Sequence, residues 1–290
     1  MIEIDAEWRA ANPLPPIADD ASKKSRGRLL VIGGARRLPG PIRLTGEAAL
    51  RVGAGRVRLA TLESLTAALG VAFPEVGVIG LPEQDGELMP GPPDLLPEQA
   101  AQHNAVVLGP GMADKAAAAR LVEALTREPA PDTPLLLLDA AAVACAKPLC
   151  DQLKNYQGGL VLTPHSGEMA ALTGLQEEEI AENREEVARD VAERFGAVVV
   201  LKGAGTVVAT PGGELLYYPG GGSGLATAGS GDVLSGVVGG LLARGADPVI
   251  AAAWGVWLHG EAGRACGGRL GPIGFLAREL LPVLPGLLPR

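Results

Sequence analysis

Nine consecutive residues, Gly224-Leu225-Ala226-Thr227-Ala228-Gly229-Ser230-Gly231-Asp232, run directly into the apolar stretch that opens with Val233-Leu234. Glycines let the main chain approach a ligand closely. Where such a turn feeds a helix, its first amides point outward and favour a negative group, such as a phosphoryl group in transfer. Gly229, Ser230 and Gly231 are therefore candidates for an anion hole. Asp232 beside them is a candidate base for an attacking hydroxyl. An ordinary aspartate cap after a glycine turn would leave the same pattern, so the neighbouring motifs have to decide.

Lys202-Gly203-Ala204-Gly205-Thr206 follows the apolar run Val198–Leu201. A lysine among glycines at a strand end suits nucleotide phosphates or ribose, and it equally suits a tight turn with a solvated lysine. Thr163-Pro164-His165-Ser166-Gly167-Glu168 joins another strand end to a helix. His165 can bond a substrate hydroxyl or phosphate. Glu168 can act with it, or simply favour the first helical turn by its charge. Gly33 to Pro41 places Arg36 and Arg37 ahead of a helix, and Gly109-Pro110-Gly111 is a narrow turn. Neither the P-loop spacing nor a Gly-x-Gly-x-x-Gly fingerprint occurs. His103 and His259 have no partner by spacing and read as structural.

These motifs need a scaffold that carries distant residues to one place. Short continuous apolar runs at 29–32, 56–59, 105–108, 135–138, 160–162 and 198–201 read as strands covered on both faces. Helical patterns lie between them at 42–52, 115–126 and 178–195, the last with Ile180, Val187, Val191 and Phe195 on one stripe. The alternation predicts an α/β fold with a central, mainly parallel sheet and helices on both faces. Residues 206–209 and 215–218, around Pro211-Gly212-Gly213, predict a small antiparallel hairpin appended to it. Helices are expected at 233–243, 249–265 and 275–284, and the segment 82–97 as a surface loop. In an open parallel sheet the ligand site lies outside the carboxyl ends of the strands. Those ends are where the glycines and reactive side chains fall.

Composition narrows the function. A formal charge of −8 shows no basic footprint for nucleic acid. Cys145, Cys150 and Cys266 cannot build a disulfide framework or a zinc site. The acidic amino terminus lacks a signal-peptide core, and no apolar stretch is long enough to span a membrane. A cytoplasmic protein of one domain over 1–290, with 1–27 as an amino-terminal arm, is expected.

Taken in order, the motifs from about Arg28 to Ala265 resemble the ADP-dependent NAD(P)H-hydrate dehydratase family, a branch of the ribokinase-like fold. The resemblance rests on Ala48–Gly55, Gly109–Met112, Thr163–Glu168, Lys202–Thr206 and Gly224–Asp232. It implies repair of nicotinamide cofactors hydrated at C6, with the S epimer of hydrated NADH or NADPH dehydrated at the expense of ADP or ATP. It places the nucleotide at Lys202, Gly203, Ala204, Gly205, Thr206 and Gly231. It places the hydrated dinucleotide at Pro41, Gly111, His165 and Asp232. Mg²⁺ is the expected cofactor and neutralises the nucleotide phosphates. A homo-oligomer is expected, as is cooperation with a separate epimerase, since the chain has no fused epimerase domain. Three departures stand out: Pro41 where the family tends to have Ala, Gly222 where Asn is common, and Ser22-Lys23-Lys24-Ser25 where Ser-His-Lys-Gly is usual. Two other readings are a small-alcohol kinase of the same fold, of the hydroxyethylthiazole or hydroxymethylpyrimidine type, and a nucleotide-sensing protein without catalysis.

Overall fold

The computed structural model describes residues 1–18, 22–23, 25–127, 133–156 and 159–289; Lys24 of the departing Ser22–Ser25 segment lies outside them. The chain opens with strand β1 (Ile2–Glu3) and helix α1 (Ala6–Ala11), then β2 (Arg28–Ile32), α2 (Pro41–Arg51), β3 (Arg56–Leu62), α3 (Thr66–Ala72) and β4 (Gly77–Leu81). A two-stranded ribbon, β5 (Glu83–Gln84) and β6 (Glu87–Leu88), leads to α4 (Leu95–Ala101), β7 (Ala105–Leu108) and α5 (Lys115–Thr126). Next come β8 (Leu135–Leu138), α6 (Ala141–Ala144), α7 (Cys150–Lys154), β9 (Leu160–Leu162), α8 (Ser166–Thr173), α9 (Glu177–Glu182) and α10 (Arg184–Phe195). The last elements are β10 (Val198–Leu201), β11 (Thr206–Ala209), β12 (Leu215–Tyr218), α11 (Ser230–Ala243), α12 (Pro248–Leu270) and α13 (Leu284–Leu287).

Ten strands form one sheet in the order β1-β12-β11-β10-β9-β8-β7-β2-β3-β4. From β10 across to β4 every neighbour is parallel, while β11 runs antiparallel to both β10 and β12. The mainly parallel α/β arrangement is therefore as expected. Period-2 alternation explains the runs of apolar residues. Leu29 and Val31 face one core while Leu30 and Ile32 face the other, and all four are fully buried. Helices α2, α11 and α12 cover the first face; α5, α8 and α10 cover the second.

The structure corrects several element boundaries. The helix expected over 178–195 is two helices that meet at Asn183, whose side-chain amide bonds the Glu179 carbonyl at 3.0 Å. Asn competes with the helix backbone in this way and favours helix ends. The helix expected over 275–284 is a 3₁₀ turn at Ala277–Glu279 followed by the short α13. Pro282 and Pro285 remove the backbone donors that a continuous helix needs. The segment 82–97 contributes β5, β6 and the start of α4, and buries Leu88 and Leu96. The hairpin β11–β12 continues the main sheet, and β1 covers its outer edge in parallel, with Ile2 beside Leu216. Among the described residues no helix is long and apolar enough to cross a membrane. The three cysteines are free thiols.

Candidate active site

The ladder continues past the strand ends and sets a row of side chains along the carboxyl edge of the sheet. The Asp139 amide bonds the Leu108 carbonyl, Thr163 bonds Leu138, and Lys202 bonds the Pro164 carbonyl at 2.8 Å. Asp139 is 3% exposed. Its Oδ1 accepts from Lys202 Nζ at 2.9 Å and from Thr163 Oγ1 at 2.9 Å, and its Oδ2 accepts from Ser235 Oγ at 2.7 Å. Glu168 Oε2 lies 3.5 Å from the same ammonium. Burial pushes the Asp139 carboxyl up, but the Lys202 charge and three donated hydrogen bonds overcome it and hold it below the usual carboxylate range. Burial opposes the Lys202 charge as well; Asp139 and Glu168 outweigh it and raise that group. Glu168 is raised, first by burial and then by the nearby Asp139 charge, against the pull of Lys202.

Helix α11 delivers the glycine-rich turn to this row. Gly229 enters it at φ +88°, a left-handed conformation that favours glycine. Ser230, Gly231 and Asp232 form its first turn, earlier than the expected start at Val233. A Cβ on Gly231 would stand 3.5 Å from Lys202 Nζ, so the turn passes directly over the ammonium. Of the three proposed hole amides, that of Ser230 bonds the Thr227 carbonyl at 3.2 Å, while those of Gly229 and Gly231 have no acceptor among the described residues. Thr45 Oγ1, on α2, donates to the Asp232 carbonyl at 3.0 Å and fixes that turn against the neighbouring helix.

Asp232 is partly buried, and its carboxyl is pushed up to about 7. Burial is the main cause. The Asp139 charge adds to it and the Lys202 charge opposes it. A carboxyl in this range takes and gives protons near neutrality, as a general base must.

The lysine turn is held from behind. The Arg184 guanidinium, at the start of α10, donates to the carbonyls of Leu201 (2.9 Å), Lys202 (3.3 Å) and Gly205 (3.0 Å). Arg184 and Tyr217 occupy the space where side chains on Gly203 and Gly205 would go. Gly203 and Ala204 are exposed, and Thr206 is buried at the start of β11. What the turn offers a ligand is bare main chain, because the Lys202 charge is already matched by two carboxylates. Gly222, in the loop before the motif, has φ 95° and ψ 162°. Only glycine adopts that conformation without strain, so an Asn would require a different loop path.

His165 caps α8. Its Nδ1 accepts from the amides of Gly167 and Glu168 at 3.0 and 3.3 Å, which puts the ring proton on Nε2, 3.3 Å from Glu168 Oε1. His165, Glu168, Lys202 and Gly231 thus form one chain of contacts ending beside Asp232. Pro41 is the first residue of α2, where its missing donor costs nothing, and its carbonyl accepts from the same Thr45 hydroxyl. Gly111 packs on Gly34, in a turn stitched by the Gly34 amide to the Pro110 carbonyl at 2.7 Å. Arg36 is drawn off to Glu83 at 3.2 Å.

Four contributors escaped the sequence reading: Asp139, Arg184, Ser235 and His259. His259, for which spacing offers no partner, has its Nε2 2.9 Å from Ser230 Oγ in the first turn of α11. Burial lowers its pKa to about 4, so it is neutral at this position. Asp139 carried the same positional signal as Lys202, a polar residue directly after a buried strand. The other three are placed by tertiary contacts alone. Among the described residues no group of three or more His, Cys, Asp or Glu side chains could hold a metal ion.

The NAD(P)H-hydrate dehydratase family model matches residues 29–285. An ADP-dependent (S)-NAD(P)H-hydrate dehydratase of Xanthomonas campestris is 43% identical over 99% of this chain and 96% of its own length. A bifunctional NAD(P)H-hydrate repair enzyme of Moorella thermoacetica is 38% identical over 98% of this chain, which spans 53% of that relative. The crystal structure of the ADP/ATP-dependent NAD(P)H-hydrate dehydratase of Bacillus subtilis, co-crystallised with ATP and Mg²⁺, superposes with a TM-score of 0.81 at 27% identity, covering 98% of this chain and 96% of the other.

Proposed function

The chain belongs to the NAD(P)H-hydrate dehydratase family, and from that premise we propose how its crevice carries out an ADP-dependent dehydration. The fold is ribokinase-like. The substrate is the S epimer of hydrated NADH or NADPH. Hydroxide is a poor leaving group, and phosphorylation of the C6 hydroxyl turns it into phosphate. Asp232 takes the hydroxyl proton as the oxygen attacks the β-phosphoryl group of ADP, and AMP leaves. The C6–O bond then breaks, pushed by the ring nitrogen lone pair. Phosphate departs, and loss of a proton from C5 restores the double bond of the reduced cofactor.

The observation that carries this reading is the amino end of α11 set over the Lys202 turn with Asp232 beside it. Amides of Gly229 and Gly231 receive the moving phosphoryl charge. The Ser230 amide is turned back to Thr227, so Ser230 contributes through its hydroxyl, oriented by the neutral His259. Main chain from Gly203 to Thr206 receives the nucleotide, and Pro41, Gly111 and His165 border the dinucleotide. Mg²⁺ would be held mainly by the nucleotide phosphates and would neutralise their charge; among the described residues no group of three or more His, Cys, Asp or Glu side chains could cage it. An epimerase that interconverts the two hydrates completes the repair. The chain spans about half of the bifunctional relative.

Recovery of reduced-nicotinamide absorbance tests the reading. Hydrated NADH loses that absorbance, and adding the protein with ADP should restore it for the S epimer. ATP run side by side fixes the nucleotide. No recovery with either nucleotide, alongside phosphorylation of a small primary alcohol, would establish the kinase alternative instead.

A pH profile adds a second check. With the Asp232 carboxyl at about 7, the base is protonated below that pH and free above it. Turnover should rise with pH through a midpoint near 7. A flat profile from pH 5 to 9 would remove Asp232 as the base.

A further inference from the structure

The opposite ends of the same strands carry a second concentration of charge. Arg28 opens β2 and Arg56 opens β3, and the parallel register sets them side by side. Arg58 follows Arg56 on the same exposed face. With Lys23 these three arginines line an open cavity of about 550 Å³. Like charges at neighbouring sheet positions are unfavourable unless something lies between them. Among the described residues no carboxylate comes within ion-pair distance of any of the four. Among the described residues, Glu75 is the only acid on the lining. This occurs in a chain with 33 acidic and 25 basic residues. The buried His103 at the cavity wall is held below its usual pKa by burial first, then by Arg58 and Arg28, which marks the positive field inside.

We propose that this cavity is a binding site for a small, multiply phosphorylated anion, separate from the crevice and at the far end of the strands. Guanidinium groups match phosphate oxygens in paired, charge-assisted hydrogen bonds. Three of them plus an ammonium carry more positive charge than one phosphate group can neutralise, so the chemistry fits a chain of phosphates. β2 runs five residues from Arg28 to Ile32, which separates the two sites by roughly 15 Å or more at ~3.3 Å per residue. None of the described residues lining the cavity belongs to the crevice.

The test is calorimetric titration of inorganic tripolyphosphate into the full chain, into Arg56→Gln/Arg58→Gln and into Arg28→Gln, with circular dichroism confirming the fold. Both variants keep the crevice, so any binding there is common to all three proteins. The expected result is one equivalent of binding that weakens about tenfold or more in each variant, weakens further with added salt, and leaves dehydratase turnover unchanged. Isotherms that coincide for all three proteins would overturn the proposal. Orthophosphate binding as tightly as tripolyphosphate would overturn its multiply phosphorylated part. Should the double variant unfold, the single Arg28→Gln variant reads the same site.

Discussion

Asp232→Asn is expected to bind nucleotide about as well as the parent protein while turnover falls about a thousandfold, the scale of a lost general base. Asn preserves the shape of the side chain and its place in the first turn of α11. It cannot take the proton. The same substitution has a stability signature of opposite sign. The Asp232 carboxyl rises from its ordinary range to about 7 in the fold, mainly through burial. The stability it contributes is fully present below about pH 4 and is lost as pH rises through about 7. Asn cannot ionise and escapes that loss. The variant should therefore melt above the parent at pH 8 and near it at pH 4. Thermal melts at the two pH values, read beside kcat and KM, check both halves. A variant with near-normal kcat would end the base assignment.

Lys202→Met should be the most destabilising single change at the crevice. It removes the one cation shared by Asp139 and Glu168, whose side chains are 4% and 11% exposed. Breaking a buried pair from one side costs about 3–5 kcal/mol, because the other charge stays buried and unmatched. For a chain of this size the melting temperature should fall by roughly 10 °C. The pH dependence separates this cause from simple repacking. In the parent protein the Asp139 carboxyl is held low by Lys202, so its contribution is present at neutral pH and lost as pH falls. Without the lysine, Asp139 is pushed up by burial and takes a proton at higher pH. The deficit of Lys202→Met should therefore shrink between pH 7 and pH 5. A deficit that stays constant with pH would mean that packing, not charge, holds Lys202 in place.

The six strand runs, the strand–helix alternation and the hairpin were readable because each is a local pattern of apolar residues, and together they locate the carboxyl edge. Strand β4 was not readable, since Gly77 and Gly80 interrupt it and its place at the sheet edge leaves it partly exposed. Strand β1 is two residues long and gains its identity from β12. Within the crevice, the Asp232 turn and the Lys202 turn were legible as glycine-rich strand ends. Their electrostatics were not. The partner of Lys202 is Asp139, 63 positions away, and Asp139 also takes a hydrogen bond from Ser235, 96 positions away. Neither separation leaves a motif. Arg184 leaves no motif for a related reason: on a helix rich in acids and arginines it looks like one more solvated charge. Its value comes from the carbonyls that the lysine turn leaves pointing at it.

The strand that covers the outer edge of the sheet is made before its partner Leu215–Tyr218, which emerges more than two hundred residues later. At ~5–20 residues per second, Ile2 and Glu3 wait roughly 10–40 s at the ribosome before the place they occupy exists. In a form that lacks β1, the β12 edge would keep its backbone groups open to a neighbouring molecule. A tag fused ahead of Met1 would lie beside the seam between β1 and β12.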